Sequence, residues 1–151
     1  MKLGIEVSAT DGAARRGVIR TARGEISTPV FMPVGTRGTI RALTTNDLSQ
    51  IAAADGTAPE VVLANNYHLM MRPGAETVDA LGGLHRFTGW DGHMLTDSGG
   101  YQVFSMDPKV TDEGATFRST YDGDLELLTP ERAVRLQELL GADIQMVLRS
   151  E

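Results

Sequence analysis

Within Thr96-Asp97-Ser98-Gly99-Gly100-Tyr101-Gln102 an acid, a hydroxyl, two glycines and a flat ring stand side by side. Asp97 can move a proton to or from a bound molecule. Ser98, Gly99 and Gly100 can form a turn whose backbone N–H groups are bare, and Tyr101 can stack on a flat ligand. The apolar run His93-Met94-Leu95 just before it reads as a strand. A plainer reading is a strand-to-loop turn in which Asp97 only hydrogen-bonds its own backbone. Local chemistry alone leaves both readings open.

The elements around this stretch favour the functional one. Leu3, Ile5 and Val7 alternate with polar or small residues, Asp11-Gly12 supplies a turn, and Gly17-Val18-Ile19 resumes the pattern. Residues 2–28 therefore predict an antiparallel β meander. Arg15, Arg16, Arg20 and Arg23 on it read as a solvated face.

Pro29 to Val34 is a short apolar run without alternation, which predicts a strand buried on both faces. Thr44-Thr45-Asn46 can cap a helix carrying Leu48, Ile51 and Ala52, closed by Asp55-Gly56. Val61 to Ala64 predicts a second strand, ending in Asn65-Asn66-Tyr67-His68. Pro73 suits the first turn of a helix carrying Val78 and Leu81, stopped by Gly82-Gly83. The third strand delivers Asp97. Thr116–Tyr121 and Leu125–Leu128 around Asp122-Gly123 predict an inserted hairpin. Thr129, Pro130 and Glu131 open a helix with Val134, Leu136, Leu139 and Leu140 on its apolar side and Gly141 as its stop. Residues 143–148 predict a fourth strand.

Strand–helix alternation implies parallel strands joined by right-handed crossovers, so the fold class is α/β. Gly35-Thr36, Asn65 to His68 and Asp97 to Tyr101 all follow strand C-termini, where parallel α/β folds place ligands.

Composition sets bounds. A chain of 151 residues fits one domain able to bury roughly two-thirds of its unfolded surface. A net charge of −6 argues against a broad nucleic-acid-binding face, though not against a local basic patch. There is no cysteine, hence no disulfide and no thiolate metal site. His68, His85 and His93 lack the spacing of a helical zinc pair and read as structural or surface residues. No apolar run is long enough to span a membrane and no signal pattern opens the chain, so a soluble, cytoplasmic protein is expected.

Thr96 to Val103, with Asn65-Asn66-Tyr67-His68-Leu69-Met70-Met71-Arg72-Pro73-Gly74 and Phe31-Met32-Pro33-Val34-Gly35-Thr36, resembles the tRNA-guanine transglycosylase family. Leu81 to His85 and Leu128 to Arg132 fit it too, so the likeness runs through nearly the whole chain. It is most similar to the bacterial branch, which exchanges guanine at the anticodon wobble position for a 7-deazaguanine queuosine precursor. The resemblance implies the first half of a TIM-type (β/α) barrel: a meander at 1–28, then four parallel strands within 29–151. It implies that Asp97 is the general acid/base, which eases departure of a purine anion. Ser98, Gly99 and Gly100 would line the base pocket, Tyr101 would stack on the base, and Asn65 would hold the acid. Partners would be tRNA and the 7-deazaguanine base, with a homodimer as a further expectation.

The departures from the family pattern are specific. The family's nucleophilic aspartate and its zinc ligands, three Cys and a His, belong to a C-terminal half that these residues do not include. Where the family carries a base-recognising aspartate this chain has Arg149, a donor-only side chain in place of an acceptor. Glu151 is displaced from that position by about 6.6 Å along a strand. One reading is thus an N-terminal transglycosylase fragment, inactive alone. The other is a non-catalytic half-barrel subunit or scaffold that pairs with another chain.

Overall fold

Alternation at the start of the chain gives what it predicts. In a computed structural model that describes residues 3–55 and 59–148, β1 (Gly4–Asp11), β2 (Ala14–Arg20) and β3 (Glu25–Thr28) form an antiparallel meander. Ile5 faces Ile19, and a bulge lies between Val7 and Ala9. β3 anchors the meander through Ile26, which is fully buried with Val61 and Leu95 of the next sheet.

Thr44 opens α1 (Thr45–Asp55) with a reciprocal cap: its Oγ1 accepts from the Asp47 N–H, while Asp47 Oδ2 accepts from the Thr44 N–H. Leu48 is buried as expected, but Ile51 is exposed. Ala52's side chain and Gly56 lie outside the described residues.

β4 (Val61–Ala64) leads into three short helices: α2 (Asn66–Met71), α3 (Ala75–Ala80) and α4 (Gly83–Thr88). Only one helix was expected here. Pro73 stands ahead of α3 rather than in its first turn, because Gly74 takes the cap position. β5 (His93–Thr96) then runs parallel to β4, and α5 (Gly100–Phe104) follows Asp97 directly. The expected hairpin is a three-stranded antiparallel sheet of β6 (Lys109–Val110), β7 (Ala115–Arg118) and β8 (Leu125–Leu128). α6 (Pro130–Leu140) begins with Thr129 accepting from the Arg132 N–H and ends at Gly141 in the left-handed region. β9 (Ile144–Gln145) pairs in parallel with β5.

The parallel sheet therefore has the order β4-β5-β9, flanked by two antiparallel sheets. Two expected parallel strands are much shorter than their apolar runs. Residues 29–34 contribute one parallel bridge, Val34 to Leu63, supported by the Leu63 N–H donating to the Pro33 carbonyl. Pro29 and Pro33 have no N–H, so no continuous ladder can pass through the run. Nor is it buried on both faces: Phe31 is 78% exposed and Val34 is also exposed. The last strand stops at Gln145, with one more bond from the Met146 N–H to the Thr96 carbonyl, because β5 itself ends there.

The main core lies between α2, α3, α4 and α6 and the sheet, with Leu69, Val78, Leu84, Met94, Leu136 and Leu140 at its centre. Val134 was expected on the buried side of α6 but is exposed, and Gln137 is buried on that side. Burying Gln137 is tolerable because every polar atom of its amide is paired. Its Oε1 accepts from Thr96 Oγ1 at 2.9 Å and from the Met146 N–H at 3.0 Å. Its Nε2 donates to the carbonyls of Ala133 and Met146. One side chain thus ties the end of β5 to the end of β9.

Candidate active site at the end of β5

Asp97 follows a strand that is buried along its whole length, so its backbone is fixed before the loop begins. Its N–H donates to the Ala64 carbonyl at 3.2 Å, which ties the ends of β4 and β5 together. Its carboxylate is held by three donors. Oδ1 accepts from the backbone N–H groups of Asn66 and Gly99, both at 3.0 Å. Oδ2 accepts from Asn65 Nδ2 at 2.6 Å.

A carboxylate offers about four lone-pair sites. Oδ1 has spent both of its own, and Oδ2 has one left. A proton entering this carboxylate lands on Oδ2, directed away from Asn65. The acid is thus single-sided and pre-aimed, which a proton-transfer group needs.

Burial pushes the Asp97 carboxyl above its ordinary value, against the opposing pull of the Asn66 and Gly99 N–H groups, Asn65 and nearby His68. The net rise brings its proton affinity closer to neutral pH than that of a solvated aspartate.

Asn65 plays two parts. It caps α2, its Oδ1 accepting from the His68 N–H at 3.1 Å, while its Nδ2 faces Asp97. The cap fixes which way the amide points. Gly99 is required by geometry: its φ is +77°, and a Cβ there would stand 3.0 Å from the Tyr67 nitrogen. Ser98 Oγ accepts from the Gly100 N–H at 3.4 Å and so shapes the turn.

Tyr101 is the second residue of α5 and is 83% exposed. Arg149 lies outside the described residues. A cleft of about 490 Å³ opens beside the turn, lined by Gly100 and by Val103, Phe104, Val110, Leu128 and Leu148 among others, but not by Asp97.

Arg37 and Tyr121 were not expected from the sequence, and Asn66, Tyr67 and His68 of the expected rim take parts that it left unassigned. Asn66 contributes a backbone donor and, through Nδ2, weaker bonds to the carbonyls of Ser98 and Ala133. His68 Nδ1 meets the Tyr121 hydroxyl at 2.9 Å, and Arg37 Nη2 donates to that hydroxyl at 3.0 Å. Burial and the Arg37 charge hold His68 below its ordinary value, against the opposing effect of Asp97. Tyr67 completes the wall, its hydroxyl 2.9 Å from Thr120 Oγ1.

The sequence has no cysteine, and among the described residues no three His, Asp or Glu side chains are grouped to hold an ion. Likewise, no helix among them is long and apolar enough to cross a membrane.

The site can be compared with known proteins. The family model for queuine tRNA-ribosyltransferase matches residues 10–150. A queuine tRNA-ribosyltransferase of Novosphingobium aromaticivorans is 52% identical over 147 residues, covering 96% of this chain and 38% of that protein. One from Solidesulfovibrio magneticus is 54% identical over 140 residues, 91% of this chain and 36% of that protein. One from Caulobacter vibrioides is 51% identical over 146 residues, 95% and 38% respectively. The chain spans a little over a third of the length of these relatives. With a match over nearly its whole length, the chain belongs to the queuine tRNA-ribosyltransferase family.

Proposed function

We propose that this chain supplies the proton-transfer half of a tRNA-guanine transglycosylase site of bacterial type. There, guanine at the wobble position of tRNA is exchanged for a 7-deazaguanine queuosine precursor. The observation that carries the reading is the Asp97 carboxylate: three protein donors, one open lone pair on Oδ2, and a proton affinity raised by burial. A purine leaves its sugar as an anion unless it is protonated or hydrogen-bonded, and Oδ2 is the atom that delivers or takes that proton. Ser98, Gly99 and Gly100 form the floor against which the base lies, and Tyr101 stacks on it. Asn65 keeps the acid aimed. Arg149 stands where family members place a base-reading carboxylate, so base selection here leans on the Asp97 turn.

In this reading residues 1–28 are the family's N-terminal extension. Residues 29–151 are the opening arc of a TIM-type barrel, with Val34, β4, β5 and β9 as its parallel sequence. The nucleophile that takes the ribose and the zinc site belong to parts of the family not matched here, so no step is assigned to either. This reading carries tRNA as the partner and the cytoplasm as the location.

The test is calorimetric titration of the 151-residue chain with guanine and with a 7-deazaguanine across pH. Binding that tracks a single protonation, and loses that dependence in Asp97→Asn, supports the reading. Binding of the same strength and pH profile in the variant removes Asp97 from the role. Incubated with tRNA and labelled guanine, the chain alone should incorporate no label, since a double displacement needs its nucleophile. Measurable incorporation overturns that part.

A second reading, a half-barrel that pairs with another chain or a second copy, draws on Phe31, Val34 and Val147, all exposed apolar side chains.

A further inference from the structure

Two arginines from different loops converge on one aromatic ring. Arg37 follows the Val34 bridge and Arg72 caps the end of α2, and each guanidinium carbon stands 5.4 Å from the centre of the Tyr121 ring. Both side chains are exposed and neither makes an ion pair among the described residues, where the other close pairs engage Arg20, Arg23, Arg132 and Arg135. Arg37 spends one N–H on the Tyr121 hydroxyl. Arg72's guanidinium donates to nothing among the described residues.

Ring attraction offsets part of the cost of bringing two like charges together, but it neutralises neither. The Asp122 charge offsets part of that of Arg72, with no ion pair between the two. Asp97 is engaged by Asn65, Asn66 and Gly99, and Asp122 accepts from the Asp124 N–H at 3.1 Å. Burial and the Arg37 charge lower the proton affinity of His68, whose Nδ1 lies 2.9 Å from the Tyr121 hydroxyl. The result is two exposed guanidiniums side by side, neither in an ion pair among the described residues, on a chain whose net charge is −6.

We propose that Arg37, Arg72 and Tyr121 form a phosphate cradle for single-stranded RNA, gripping the backbone of the strand whose base reaches Asp97. The proposal rests on the reading of Asp97 as a base-handling acid, and that reading fixes the occupant as a polynucleotide rather than a free anion. Guanidinium forks suit phosphate oxygens, and rings interleaved with arginines are the usual grip on unpaired RNA. Asn65 couples the two parts, since it both aims Asp97 and caps the helix that carries His68 and ends at Arg72.

The test is fluorescence anisotropy of a labelled RNA stem-loop, with guanine in its loop, against the 151-residue chain at several salt concentrations. Each of Arg37→Ala and Arg72→Ala should weaken binding several-fold and shrink the slope of log K against log salt by about 0.7. Arg37→Lys and Arg72→Lys should restore most of that slope, because the charge remains. Arg15→Ala, on the exposed face of β2, should leave it unchanged.

Unaltered affinity and slope in both alanine variants overturns the proposal. So does a loss of affinity that follows a lowered melting temperature with the slope intact, for then the arginines only pack the Tyr121 turn. If the alanine variants lose binding to inorganic phosphate but not to RNA, the cradle is a free-anion site and the polynucleotide assignment fails. The Asp97 reading is judged separately by base titration, so each can fail alone.

Discussion

Asn65 at the end of β4 donates its amide to Asp97 at the end of β5, 2.6 Å away, while its own carbonyl accepts from the His68 N–H. The amide cannot turn round without losing the helix cap, so the donor end is fixed toward the acid. Two neighbouring strands thereby define the direction in which the acid's remaining lone pair points.

Asn65→Ala removes both bonds. The lost cap costs about 1 kcal/mol of stability. A donor that favoured the ionised carboxylate also disappears, so the proton affinity of Asp97 rises further. Carbon-detected NMR titration of the Asp97 carboxyl should report an upward shift in the variant. A downward shift, or none, means that the amide does not tune the acid.

Asp97→Asn separates charge from shape. The raised proton affinity of Asp97 means that the fold disfavours its ionised form. Below the unfolded value both states are protonated and there is no penalty. The penalty grows as pH rises through the unfolded and then the folded value, and is complete above it. Relative to the native chain, the asparagine variant should gain stability on going from acid to neutral pH. Against this, its new NH₂ group meets the Asn65 donor, a lost bond worth about 1 kcal/mol. Denaturant melts at two pH values read the difference, and a gain that runs in the opposite direction contradicts the burial argument.

Asp143 behaves in the opposite sense. Burial would raise it, but it accepts from His85 Nε2 at 2.9 Å and from the Met94 N–H at 2.9 Å, and it feels the charges of His85 and Arg23. The balance holds it below its ordinary value. A lowered folded value contributes stability that is present above the unfolded value and lost as pH falls through the folded one. The chain should weaken below about pH 4, and Asp143→Asn should cost about 1–3 kcal/mol at neutral pH with much less effect in acid. Equal losses at both pH values would show that the carboxylate charge is irrelevant.

Gln137→Leu keeps volume but strands the Thr96 hydroxyl and leaves the Met146 N–H only its bond to the Thr96 carbonyl. The stranded hydroxyl costs about 1–3 kcal/mol. Because Thr96 precedes Asp97, base binding should fall along with the melting temperature. A stable variant with unchanged binding would detach the α6 side chain from the positioning of the acid.

Much of this site is readable in the sequence because strong punctuation surrounds it. Thr129-Pro130 and Gly141 bracket α6, Thr44 caps α1, and the meander alternates cleanly. The missed helices α2, α4 and α5 are five or six residues long, too short to display a helical period. Gln137 looks like an interruption in an apolar face, and only the pairing of its amide explains its burial. The bridge at Val34 fell short of a strand because prolines withhold donors, a cost visible in the sequence that the unbroken apolar run outweighed. The donors to Asp97 from Asn66 and Gly99 are backbone groups, whose aim no side-chain pattern encodes.

The apolar run that failed to bury itself gives the last prediction. Phe31 is 78% and Val147 79% exposed, and they stand at the two sides of the parallel sequence that runs from Val34 through β4 and β5 to β9. Each ring or branched chain left in water forfeits about 25 cal/mol for every Å² it could bury. β9 also offers an unpaired edge, since among the described residues only β5 pairs with it. Concentration should therefore drive the isolated chain into dimers or larger species, as expected of a half-barrel that pairs with a second copy. Analytical ultercentrifugation should show mass rising with concentration, and Phe31→Glu together with Val147→Glu should reverse it. A native chain that sediments as a monomer at high concentration would mean that these side chains are tolerated in water. The pairing reading would then lose its physical basis, while the assignment of Asp97, which depends on contacts within the chain, would stand.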